Sequence, residues 1–202
     1  MYNLERLKSF LKNLQSDIYP EIPGEPHLTI TRQMIERLLT MEGVQSGQQV
    51  LDVGCGQGLA MRQFIQEGLN PTGIALGEDV QICQKEGLNV LEMDQSFLDF
   101  ADSTFDIIWC RHALEHSVFP FFTLTELHRL LTGSGILYVE VPAPDTSCHH
   151  ETNLNHYSVL GKSMWVSLFE RAGFAIEDSL VINFQVPAGP DEYWAFFLRP
   201  KK

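Results

Sequence analysis

The chain has 202 residues, 44% of them hydrophobic, and a formal charge of -12 from 14 basic and 26 acidic side chains. This length suits one domain with a substantial core, and the acidic balance excludes an extended phosphate-binding surface, so no nucleic-acid partner is expected. Cys55, Cys83, Cys110 and Cys148 lie far apart with no CxxC pair, which suggests neither a zinc site nor a disulfide framework and fits a reduced, cytoplasmic setting.

Leu4, Leu7, Leu11, Leu14 and Ile18 recur at steps of three and four, predicting an amphipathic helix over 4–18. Its stripe packs on the domain as an extension, the alternatives being a dimer seam or a lid. No h-region precedes it and no apolar stretch is long enough to span a bilayer, so no membrane partner is expected. Three prolines within 20–26 exclude a helix and make 19–26 a linker. A second helix over 30–41 ends at Gly43.

Residues 49–53 are short, apolar and rich in β-branched side chains, the pattern of a strand buried on both faces. Gly54, Gly56 and Gly58 follow at alternate positions, removing Cβ atoms where the backbone turns and a ligand must come close. A helix with apolar Leu59, Met61, Phe64 and Ile65 then runs to Gly68. The spacing G-x-G-x-G after Asp52 is not the G-x-G-x-x-G of dinucleotide binding, which argues against a nicotinamide oxidoreductase. An acid before the first glycine would repel phosphate and suits a cation.

Further strands are predicted over 71–76, 88–93, 104–110, 136–141, 174–181 and 192–198, with helices over 78–85, 121–131 and 163–172. Residues 132–135 form a turn, 143–157 a long irregular loop of the kind that carries function, and 183–191 a hairpin connection.

VLDVGCGQG at 50–58 resembles the first motif of class I S-adenosylmethionine-dependent methyltransferases, and FDIIWCRHALEH at 105–116 the fourth motif of the methyltransferase type 11 group. LLTGSGILYVEVP at 130–142 resembles their helix, turn and strand without the usual proline. The resemblance implies an α/β fold: a Rossmann-like three-layer sandwich whose mostly parallel seven-stranded sheet has one antiparallel C-terminal strand. Residues 1–45 would be a helical extension and 46–202 the core of a single domain, with S-adenosyl-L-methionine as cofactor.

On that resemblance, Asp52, Gly54, Cys55, Gly56 and Gly58 shape the methionine end of the cofactor site, and Asp94 and Gln95 the adenine end. Ala75, beside Leu76, stands where the family usually has an acid for the ribose hydroxyls, so Glu78 or Asp79 would have to reach back. Cys110, Arg111 and His112 lie at the carboxyl edge of the sheet, as the floor. Tyr19 and His27, in the N-terminal segment, are candidate pocket residues. A general base would come from His112, His149, His150 or His156, with His112 and His156 preferred. No metal is expected, because His149, His150, Glu151 and His156 match no ligand spacing. Positioning for in-line methyl transfer supplies about 7–11 kcal/mol against about 3–5 from a proton-transfer group. The expected function is methyl transfer to the oxygen or nitrogen, rather than carbon, of a small-molecule acceptor by a monomer or homodimer. Ala75 motivates the alternative, a non-catalytic protein that binds S-adenosylmethionine or S-adenosylhomocysteine.

Overall fold

The computed structural model describes residues 4–14 and 22–201. Tyr19, the end of the predicted first helix and the start of the linker lie outside them.

The elements in chain order are α1 (Leu4–Leu14), α2 (His27–Leu39), β1 (Gln49–Val53), α3 (Leu59–Gln66), β2 (Asn70–Ala75), α4 (Glu78–Lys85) and β3 (Val90–Glu92). After these come β4 (Phe105–Arg111), α5 (Pro120–Leu130), β5 (Leu131–Pro142), α6 (Lys162–Arg171), β6 (Phe174–Val186) and β7 (Gly189–Pro200). The seven strands form one sheet in the order β3-β2-β1-β4-β5-β7-β6. β1 pairs in parallel with β2 and β4, β4 with β5, and β2 with β3, whereas β7 runs antiparallel to both β5 and β6. The sheet is therefore mostly parallel with β7 reversed, in the Rossmann-like arrangement expected.

Strand alternation divides the core in two. Leu51, Val53, Ile108, Cys110, Leu137 and Val139 cluster with α5 and α6 on one face. Val50, Ile107, Trp109, Ile136 and Tyr138 cluster with α2 and α3 on the other. Both faces being covered explains why the central strands read as continuous apolar runs.

Three boundaries differ from the sequence reading. α2 begins at His27, directly after Pro26, whose fixed φ suits the entry to a helix. Residues 132–135 belong to the β5 strand as a bulge, the register stepping from Phe105↔Leu131 to Ile107↔Ile136. β6 and β7 are longer than the apolar runs suggest and pair up to Val186↔Gly189, leaving Pro187 and Ala188 as the turn. The edge strand β6 alternates half-buried and exposed side chains after the buried Phe174, so its polar half masks its length. Among the described residues no helix is long and apolar enough to cross a membrane.

Candidate active site

A cavity of about 200 Å³ opens beyond the carboxyl ends of β1, β2 and β4, the crevice that open α/β sheets offer to ligands. Its wall begins where β1 gives way to the glycine turn. Gly54 adopts φ +69 and Gly56 φ +49, and both line the cavity. A Cβ at Gly54 would lie 2.9 Å from the Ala113 Cβ, so only glycine lets the turn pass the β4 edge without a shift. Gly58 has a different task. It does not line the cavity, and a Cβ there would collide with Leu88, so its bareness lets the start of α3 pack on the segment that leads from α4 to β3. Cys55 likewise turns into a small core cluster with Met61, Val80 and Cys83.

Asp52 lies below this turn, 3% exposed, with Oδ2 buried and lacking a hydrogen-bond partner. Burial is the main force that lifts its pKa to about 8, with Cys83 adding and Arg111 opposing. A carboxyl held this way gains from a nearby cation.

Along β2, Ala75 and Leu76 line the cavity. The first turn of α4 decides between the two neighbouring acids. Glu78 is exposed and faces away, whereas Asp79 is 8% exposed and lines the wall. Asp79, not Glu78, is the carboxylate that helical phase brings back beside Ala75. After β3, Asp94 and Gln95 both line the cavity, and each is held in place. Asp94 Oδ1 accepts from the Ser96 N–H at 2.8 Å, and Gln95 donates to the Ala113 carbonyl at 2.7 Å.

Of the three residues expected as the floor, only His112 lines the cavity. Alternation along β4 sends Cys110 into the α5/α6 core and Arg111 to the α2 face. The Arg111 Nε sits 2.8 Å from Glu140 Oε1, a close ion pair without an aligned hydrogen bond, and its Nη2 is 3.2 Å from His27 Nδ1. His27 stacks on Tyr193, which also meets the edge of His112, so it belongs to this polar cluster and not to the cavity wall. The Tyr138 hydroxyl donates to the second oxygen of Glu140.

His112, at φ +50, places its ring between two buried carboxylates, Nδ1 3.1 Å from Glu115 and Nε2 3.0 Å from Glu140. Burial and Arg111 push its pKa down, but the two carboxylates prevail and hold it at about 9. Both nitrogens therefore carry protons at neutral pH, and an imidazolium with no lone pair is no base. His112 therefore lines the cavity as a mostly buried cation held between two carboxylates.

This network has a pH signature. His112 is raised above its ordinary 6.5, so its stabilisation is complete below that value and is lost as pH climbs through about 9. Glu115 is lowered to about 2, burial opposing and His112 prevailing, so its contribution is lost only as pH falls below 4.5 through that value. Asp52 adds to the alkaline loss, because its raised carboxyl must ionise in a buried setting. Melting temperature should fall between pH 6.5 and 9. A flat or rising profile in that window would contradict the assigned protonation of His112.

The 143–157 loop folds back over a 3-10 turn at Leu114–His116, where Ser158 N–H donates to the Glu115 carbonyl at 2.9 Å. His116 and Asn155 thereby reach the cavity wall, together with Tyr157. His156 does not line the cavity, but its ring meets the edge of His116 with centroids 4.7 Å apart. Burial is the main force that lowers the His156 pKa. The other two histidines of the loop have carboxylate partners. His149 faces Glu151 at 3.7 Å near the surface, and His150 bonds to Asp191 at 3.0 Å. From the opposite side, Leu11 and Leu14 of α1 complete the wall. Sequence reasoning missed Asp79's precedence, His116 and Asn155, and the adjacency of His116 to His112 in the fourth motif was the one available signal.

Comparison with known proteins now bears on this geometry. Residues 51–139 match the methyltransferase domain family. The ubiquinone biosynthesis O-methyltransferase of Methylococcus capsulatus is 31% identical over 78% of this chain and 60% of its own length. The 24-methylenesterol C-methyltransferase 2 of Oryza sativa is 29% identical over 73% of this chain and 46% of its own. The chain thus spans less than two thirds of the length of these curated relatives. Among solved structures, Burkholderia thailandensis 1,6-didemethyltoxoflavin-N1-methyltransferase, with bound 1,6-didemethyltoxoflavin and S-adenosylhomocysteine, superposes with TM-score 0.70 and 20% identity, covering 88% of this chain and 80% of its own. Residues 51–139 thus carry a methyltransferase domain, and the chain has the fold of the solved methyltransferases it superposes on. The cofactor they imply is S-adenosylmethionine. The buried Asp52 oxygen without a partner, the bare Gly54 and the carboxylates of Asp79 and Asp94 on the wall fit such a cationic nucleoside.

Proposed function

We propose that this protein transfers a methyl group from S-adenosylmethionine to an oxygen or nitrogen atom of a small-molecule acceptor. The observation that carries the reading is the cavity itself, in which a bare glycine turn above a buried acid runs into two further carboxylates. When bound, the cofactor supplies an electrophilic methyl on a sulfonium. The Asp52 carboxyl faces the positive end, the Gly54 and Gly56 backbone allows close approach, and Asp79 and Asp94 are placed for the hydroxyl and amino donors of the nucleoside. Asp79 answers the gap left by Ala75, which removes the main reason to prefer a non-catalytic binding protein. Leu11 and Leu14 over the cavity exclude water from the transfer, and alignment of acceptor and sulfonium is the dominant contribution to rate.

The oxygen or nitrogen acceptor is supported by the polar side chains of His116, Asn155 and Tyr157 on the cavity wall. Calorimetric titration with S-adenosylmethionine and, separately, S-adenosylhomocysteine should give micromolar dissociation constants, about -8 kcal/mol. Absence of binding by both ligands would sink the proposal. Binding of both without turnover across hydroxylated and amine acceptors would restore the binding-protein reading.

A further inference from the structure

Two side-chain groups among the described residues bring three potential metal ligands together, Glu115 with His116 and His156, and Cys148 with His150 and Asp191. In the second, His150 Nε2 already bonds both oxygens of Asp191, at 3.1 and 3.0 Å, so its atoms satisfy one another. The first is different.

The His116 Nδ1 lies 3.0 Å from the backbone carbonyl of Asn155 and 2.5 Å from its side-chain oxygen. The His156 Nδ1 lies 2.9 Å from the backbone carbonyl of His150. A carbonyl only accepts, so both rings carry the proton on Nδ1, and the lone pair of each stands on Nε2. Histidines that bind metal are oriented by this kind of bond on the nitrogen opposite the ligating one. The third ligand is equally prepared. Glu115 is 1% exposed, His112 engages its Oε1, and its Oε2 is buried with no hydrogen-bond partner. Leaving such an oxygen unsatisfied costs about 1–3 kcal/mol, more when it is charged.

We propose that Glu115, His116 and His156 bind a divalent transition-metal ion on the acceptor side of the cavity. One ligand atom from each residue lies within 4.8 Å of the others, so side-chain adjustments of about an ångström reach the ~2.0–2.2 Å bonds of a nitrogen and oxygen site. Two imidazoles and one carboxylate favour zinc, cobalt or iron over magnesium or calcium, which prefer oxygen ligands alone. The anchor is rigid. Glu115 and His116 share one 3-10 turn, and the end of the loop carrying His156 is pinned to that turn by the backbone bond from Ser158 to Glu115. Three protein ligands leave coordination positions open, and His116 lies on the cavity wall beside Asn155 and Tyr157. The ion would hold an acceptor oxygen or nitrogen in line with the methyl group, a role that rests on the function proposed above, whereas ion binding does not.

The test is equilibrium dialysis of the chelator-stripped full chain against zinc, with cobalt absorption in the visible as a second readout. The wild type should take up one ion with a tetrahedral or five-coordinate cobalt spectrum. His156→Gln and His116→Gln should lower affinity at least about tenfold while circular dichroism stays unchanged. His150→Gln, in the other group, should retain the ion, since it keeps the carbonyl that orients His156. No uptake by the wild type, uptake unchanged in His156→Gln, or uptake lost in His150→Gln instead would overturn the site. Affinity for S-adenosylmethionine is measured separately by calorimetry. Its loss with the ion retained would count against the proposed function and not against this one.

Discussion

Replacing Glu140 with leucine is expected to destabilise the fold by about 3–5 kcal/mol, the usual cost of removing one partner from a buried charge network. Glu140 is fully buried near the carboxyl end of β5 and serves three neighbours, the Arg111 guanidinium, the His112 ring and the Tyr138 hydroxyl. Its removal strands Arg111 beside an imidazolium, with Glu115 as the remaining counter-charge for both. Buried desolvation would then push His112 toward its neutral form, so its titration should move down from about 9. In a protein of this size the loss corresponds to a fall of roughly 6–20 °C in melting temperature. Glu140→Gln, which keeps shape and two acceptor lone pairs, should lie between leucine and wild type. Chemical denaturation of the three proteins checks the order, and a leucine variant within about 1 kcal/mol of wild type would show that the cluster is not a cooperative network.

Asp52→Ala should have the opposite profile, a large loss of S-adenosylmethionine affinity with little loss of stability. In the folded protein the carboxyl is already disfavoured, with one oxygen unpartnered and its pKa raised to about 8. Removing it relieves that burial cost and offsets part of the small cavity left behind. A cationic ligand would draw the Asp52 carboxyl into its ionised form and loses that buried counter-charge in the variant, and a charge-assisted contact worth about 1.5–3 kcal/mol is roughly a 10- to 150-fold change in dissociation constant. Asp52→Asn separates charge from shape, because it fills the same volume and should lose nearly as much affinity. Unchanged calorimetric affinity in a folded alanine variant would place the cofactor elsewhere.

The sequence pattern carried the fold well because the sheet depends on local signals. Each central strand is a continuous apolar run, each helix has its own stripe and stop, and the glycine turn follows β1 directly. The site was less legible where it depends on phase and on contacts between distant elements. Cys110 and Arg111 stand next to His112 in a motif, yet a period of two sends each to a different face. Glu78 and Asp79 are neighbours in sequence, but one helical step of about 100° puts only the second on the cavity wall. The carboxylates that flank His112 come from its own turn and from β5, 28 residues away, which no one-dimensional spacing displays. The loop after β5 was recognised as functional by its length, but which of its histidines converge on His116 is decided by backbone carbonyls and not by residue type.

The first helix carries the longest-range consequence. Among its described residues none is fully buried, yet Leu11 and Leu14 form part of the cavity wall. The polar cluster, by contrast, ties the first residue of α2 to β4 through His27 and Arg111. One wall of the cavity is therefore held by an element with no buried residue among the described ones, and α1 can shift without any of the sheet's packing being disturbed.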